Sequence, residues 1–275
     1  MRKVIGTLAL LSAGMLMATQ PALAQTTQAD IPADPVGPIP LGATDSNSGF
    51  ILSVWSPSLP LSLVYYTGLT YSQLQPNDIT PDTGLTLDFG FIPEWGALAG
   101  ASDLVYNLIA VDAAGTAAAR GLVTTAALGS TPFTGTNGDV NSITGSAAFQ
   151  NFAGQVNACI GTGNTCVNSV DAQQLAWDER YGGFLDVSAA GAVGTALGFY
   201  QMVGQAPAAN ASTPALVTRF QNTLGNLGTW LLTNQGQLTY TIAGQTTVVP
   251  LPAAAWLLLS GLLGVGVVGR RRKAA

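Results

Sequence analysis

The chain has 275 residues, enough for one large domain or two small ones. Only 8% of them are charged and histidine is absent, which excludes Ser-His-Asp and Cys-His catalysis, histidine-ligated zinc or haem and histidine acid–base chemistry, while leaving carboxylate chemistry open. Arg2 and Lys3 open the chain and Arg270, Arg271, Arg272 and Lys273 close it, so across the middle Arg120, Arg180 and Arg219 stand against all 14 acidic residues; three cations against 14 anions leave a net −11 there, which repels nucleic acid and keeps the body dispersed in water.

In chain order, Met1-Arg2-Lys3 gives a positive start and Val4 to Met17 is almost continuously apolar. Ala22 and Ala24 are the small residues a signal peptidase requires, and cleavage after Ala24 leaves Gln25 as the new N-terminus. This three-part pattern predicts a secretory signal peptide over residues 1–24. The rival is an uncleaved anchor, for which the apolar core is short against the roughly 20 residues of a span. Residues 25–48 are rich in Pro, Asp and small polar residues and read as a linker or extended lead-in.

From Gly49 the pattern favours strands. Phe50–Trp55, Leu61–Tyr66 and the strictly alternating Leu85–Phe89 are three of them. Asp103–Asp112, the turn Ala113-Ala114-Gly115 and Leu122–Thr125 suggest a hairpin. A second hairpin is expected where Gly228–Thr233 and Gln237–Ile242 flank Asn234-Gln235-Gly236. Asp171–Tyr181, with Asp at its start and Gly182-Gly183 beyond its end, suits a short helix, and Leu216–Leu224 fits helix or strand. The expected class for residues 49–247 is mostly β, an antiparallel β-sandwich with one or two short helices, and 33 glycines suit its turns.

Candidate sites in this body are few. Cys159 and Cys166, in CIGTGNTC, lack redox-pair spacing, and in an oxidising space they are expected to form a disulfide. Thr136 to Ser142 alternates oxygen-bearing side chains as a calcium loop does, but carries one carboxylate and no closing Glu, so an Asn/Gly turn is the plainer expectation. Asp171, Asp178 and Glu179 are the only acids suggesting paired carboxylates for glycoside hydrolysis, with solvated helix charges as the rival. Trp55, Tyr65, Tyr66, Tyr71 and Trp95 make either a sugar-stacking row or one face of a core. No cofactor and no metal site is expected.

At the back, Ala253 to Gly269 is uncharged, and its 17 residues reach roughly 25 Å as a helix. That is near the short limit for a bilayer. Arg270, Arg271, Arg272 and Lys273 follow at once and fix that end in the cytoplasm. Immediately before the span stand Val249, Pro250, Leu251, Pro252 and Ala253, in which alternate prolines hold the backbone extended for a processing enzyme. Box, apolar span and basic cluster, residues 248–275 together, resemble the PEP-CTERM sorting signal of Gram-negative bacteria in its VPLPA variant. Leu251 stands where the parent motif has Glu.

The resemblance implies an inner-membrane-anchored precursor with its main domain in the periplasm. It further implies recognition by an exosortase, cleavage near the proline pair, and transfer to the cell surface or extracellular space, in association with exopolysaccharide and biofilm matrix. The expected role is a non-enzymatic surface or matrix protein whose partners are signal peptidase, exosortase and exopolysaccharide. A carbohydrate-binding module and a carboxylate-dependent hydrolase are the alternatives. An unprocessed tail anchor is the rival reading of the C-terminus.

Overall fold

A computed structural model describes residues 38–40, 47–74, 84–116, 119–128, 135–144, 148–169, 190–206 and 211–244. The signal segment, the 171–181 helix and everything from Gln245 to Ala275, the sorting motif and basic cluster included, lie outside the described residues. Among the described residues no helix is long and apolar enough to cross a membrane.

The chain folds into strands β1 (Gly49–Trp55), β2 (Ser62–Thr70), β3 (Leu85–Phe91), β4 (Val105–Asp112) and β5 (Gly121–Ala127), then helices α1 (Asn137–Thr144) and α2 (Ala148–Ile160). Strands β6 (Thr165–Asn168), β7 (Gly191–Ala192), β8 (Leu197–Val203), β9 (Leu216–Arg219), β10 (Gly228–Leu232) and β11 (Gln237–Ile242) follow. The mostly β, antiparallel class is as expected. All the described strands join one sheet, ordered β3-β11-β10-β8-β5-β4-β1-β2-β6, with β7 added to β4 and β9 to β8. Layering comes from the curl of this sheet, where two separate packed sheets were expected.

Both expected hairpins form. Strand β4 pairs with β5 (Ile109 opposite Thr124), and β10 with β11 (Trp230 opposite Tyr240). Leu216–Arg219, ambiguous in sequence, is drawn into the sheet by pairing along β8. Antiparallel pairing gathers the turns at two ends. One end holds Ser56–Leu61, the loop from Ile92 to Leu104, Val193–Leu197 and Thr233–Gly236; the other holds Gly49, Thr70, Leu85, Gly228 and Ile242.

Side-chain alternation sends two sets of residues to two cores. The inner face is one cluster drawn from β1, β2, β3, β4, β5, β8, β10 and β11. Aromatic rings fill its middle: Phe199 lies 4.2 Å from Phe220, Trp230 lies 4.9 Å from Tyr240, and Phe50 reaches Trp230 at 6.5 Å. The Tyr106 hydroxyl donates toward the carbonyl oxygens of Thr195 (2.7 Å) and Trp230 (2.9 Å), binding β4 to the far side of the curl. Burial raises the Tyr106 and Tyr240 phenols above the usual tyrosine range, so both stay neutral.

The outer face of the sheet is covered by the two helices. In α2, Phe149, Phe152, Ala153, Val156 and Ile160 recur at helical spacing and pack with Ile51, Val64, Ile109 and Tyr200. Strand β1 is thereby covered on both faces and is buried at every position. The lead-in touches this layer too. Ile39 is buried there, its N–H donates to Asn157 Oδ1 (2.6 Å), and Asn157 Nδ2 donates back to its carbonyl (3.1 Å).

Helix α1 begins where a turn or a calcium loop was expected. Asp139 Oδ2 accepts from the Thr136 N–H (2.7 Å) and hydroxyl (2.8 Å), while the Asp139 N–H donates to Thr136 Oγ1 (3.3 Å). This reciprocal cap satisfies the helix N-terminus and explains the alternating oxygens without a cation.

Cys159, near the end of α2, and Cys166, on β6, stand at disulfide distance with Cα atoms 5.6 Å apart. The link ties the outer helix layer to the last strand of the sheet. A loop this short restricts the unfolded chain by about 2–3 kcal/mol. Reduction, or Cys159→Ser, is therefore expected to lower the unfolding free energy by about that amount, measured by urea titration with and without reductant.

Candidate functional site

The first end of the sheet carries a cleft of about 410 Å³. It is built by loops that are tied to one another. The Ile92 N–H donates to the Gly236 carbonyl (2.9 Å), the Val193 N–H to Leu104 (2.9 Å) and the Gly194 N–H to Leu232 (2.8 Å). Trp95, Ser102, Asp103 and Asn234 line it, with Leu104 and Val193 as apolar wall.

Trp95 is held in place from several directions. Its Nε1–H donates to the Asn234 carbonyl (3.2 Å). Gly236, at φ +84°, lies against the indole so closely that any Cβ there would collide with Cγ and Cδ2 of the ring. Glycine is thus required at Gly236 both for its backbone and for the ring beside it. Glu94, just before the indole, has φ 61° and ψ 8°, the one non-glycine residue with positive φ among those described. A left-handed conformation costs an L-residue roughly 1–2 kcal/mol, and such strain concentrates where a loop has to present a group.

Asp103 is fixed by the β1–β2 turn. The Ser56 hydroxyl donates to Oδ1 (2.6 Å) and the Ser58 N–H to Oδ2 (3.1 Å), while the Leu59 N–H donates to Ser56 Oγ (3.1 Å). These bonds, the one from the Ser56 hydroxyl first, lower its carboxyl below the usual value of 3.8. Each carboxylate oxygen retains a lone pair for a further donor. Among the described residues, the Asn234 side-chain amide and the Ser102 hydroxyl make no hydrogen bond.

The residues singled out in sequence are scattered. Trp55, Tyr65, Tyr66 and Tyr71 are buried, at 2%, 4%, 6% and 6% exposure, so four of the five rings belong to the cores and form no row on the surface. Trp95, partly buried against the inner cluster, alone of the five reaches the cleft. Cys159 and Cys166 border a separate, shallow depression with Glu94, Gly96 and Ala97. The remaining described acids are engaged singly: Asp88 accepts from the Gly90 N–H (2.9 Å) and Asp112 from the Ala114 N–H (3.0 Å). No group of three metal-ligating side chains occurs among the described residues. Asp171, Asp178 and Glu179, with Ala22, Ala24, Gln25, Val249 to Ala253, Arg270 to Arg272 and Lys273, lie outside them.

Sequence reasoning missed Ser102, Asp103 and Asn234 as partners of Trp95. Asp103 read as the head of a strand and Asn234 as a turn residue. The available signal was Pro93-Glu94-Trp95-Gly96, which sets a large ring between loop-forming residues. Comparison with known protein families, with curated proteins and with solved structures finds no match to this chain.

Two outcomes follow. Glu94→Gly relieves the left-handed strain and adds some unfolded-state entropy, for a net gain of about 0.5–1 kcal/mol, read as a higher urea midpoint. Asp103, with its folded pKa depressed, contributes stability that is complete above its unfolded value and is lost as pH falls through the folded one. Its carboxyl should titrate below 3.8 in an NMR pH series, and Ser56→Ala should move that midpoint upward.

Proposed function

We propose that this chain is a non-enzymatic surface or extracellular-matrix protein that leaves the cytoplasm as a precursor and is processed at both ends. The signal peptide over 1–24 is removed, and the VPLPA motif with its transmembrane helix, 248–275, is recognised by an exosortase and cut near Pro250–Ala253. The mature product is an antiparallel β domain at the cell surface or in an exopolysaccharide matrix.

The ordered succession of proline box, apolar span and four cations carries this reading. The body adds support of its own. Cys159 is exposed and stands at disulfide distance from Cys166, a pairing that persists in oxidising compartments. Asp88, Asp103, Asp112 and Asp139 each hold a turn, a loop or a helix start, which are structural duties. The carboxylate-dependent hydrolase gains nothing from them.

Intact-mass measurement of the protein recovered from cells with and without their exosortase tests the proposal. The expected wild-type species begins at Gln25 and lacks the RRRK end, and deletion of the exosortase restores that end. A wild-type mass that keeps both the apolar span and the basic cluster overturns it.

A further inference from the structure

We propose that the cleft beside Trp95 binds a neutral oligosaccharide, with one sugar ring stacked on the indole and its hydroxyls bonded to Asn234, Ser102 and Asp103. This deepens the matrix-protein reading and rests on it for the source of the sugar, a glycan outside the cell. The binding itself is a property of the cleft and is measured on purified protein, so either conclusion can fail alone.

The volume, about 410 Å³, falls in the range of small-molecule sites, roughly 300–1,000 Å³, and accommodates roughly one or two pyranose rings. A pyranose offers an apolar face of C–H bonds and a rim of hydroxyls. The C–H hydrogens carry partial positive charge and suit the electron-rich face of an indole. The hydroxyls both donate and accept. The cleft answers with a carboxylate that only accepts, an amide that does both and a hydroxyl that does both. An organic cation would use the ring and the carboxylate but leave Asn234 and Ser102 idle; a sugar engages all four.

Two of the four groups, the indole and the carboxylate, are also arranged before any ligand arrives. The indole is anchored by its Nε1–H bond and by Gly236. Asp103 is aimed by Ser56 and Ser58. The left-handed Glu94 immediately precedes the ring's own residue. Fixing a site in advance removes part of the ordering cost of binding.

The test uses the full chain, purified in a zwitterionic detergent free of sugar. It is titrated by calorimetry and tryptophan fluorescence with cellotetraose, maltotetraose, laminaritetraose and tetra-N-acetylchitotetraose, with choline as a cationic comparator. Saturable binding of at least one tetrasaccharide is expected. Trp95→Ala should weaken it by about tenfold or more and Asn234→Ala by about three- to tenfold, with far-UV circular dichroism unchanged. Asp103→Asn should retain most of the binding. Should Trp95→Ala fail to fold, Trp95→Phe, which keeps a ring, and Asn234→Ala decide. The proposal is overturned if none of the four sugars binds, if binding is indifferent to Trp95 and Asn234, or if choline binds in their place and Asp103→Asn abolishes it.

Discussion

The contact between Phe50 and Trp230 sets the shape of the molecule. Their strands, β1 and β10, are separated in the sheet by β4, β5 and β8, so on a flat sheet they would lie about 19 Å apart at the usual strand spacing. Their ring centroids are 6.5 Å apart. Such an approach requires the sheet to bend until its inner face meets itself. Phe199 occupies the gap, 5.7 Å from each of the other two rings. Burial of these rings supplies the driving force, since a large aromatic side chain loses about 3–5 kcal/mol when truncated in a core. Pairing of β3 with β11 sets Trp95 against Asn234 and Gly236, and the bend brings the start of β4, with Asp103, to the same end through Val193 and Gly194.

Closure stops short of a full barrel. Strands β3 and β6 end the hydrogen-bonded order among the described residues, and exposed edges invite pairing with other chains. Strand β6 has only four residues and is pinned beside α2 by the cysteine pair. Strand β3 carries the exposed Asp88, the left-handed Gly90 and a register shift against β11 between Gln237 and Thr239. Shortness, charge and irregularity are the usual means of making an edge a poor template.

The legibility of the fold follows from which face each strand shows to water. Strands β3, β10 and β11 have one face on the inner core and one toward solvent, and their alternation marked them in sequence. Strands β1, β2, β4 and β5 are buried along nearly their whole length because helices cover their second face, and they lack clean alternation; they could be located but not assigned to a layer. The covering helices were the true omission. In α2 the stripe Phe149, Phe152, Val156, Ile160 is diluted by Asn151, Gly154 and Asn157, weak helix formers, and burial against the sheet overrides that local preference. At Thr136 and Asp139 the capping signal was visible but read as an Asn/Gly turn, with a calcium loop as the alternative. The cleft was illegible for a different reason. Trp95 meets Asn234 through the pairing of β3 with β11, strands far apart in the chain, and Asp103 joins them through the curl, and no local spacing encodes either.

Strand direction has one further consequence. Residue Gln237 begins β11 beside the Trp95 cleft, and Ile242 ends it at the other extremity, opposite Leu85 and Gly228. Six residues of extended chain set those points about 17–20 Å apart. The end of β11 therefore lies at the pole remote from the indole. The described domain is thus vectorial: its last strand ends at one pole, and its open mouth lies at the other.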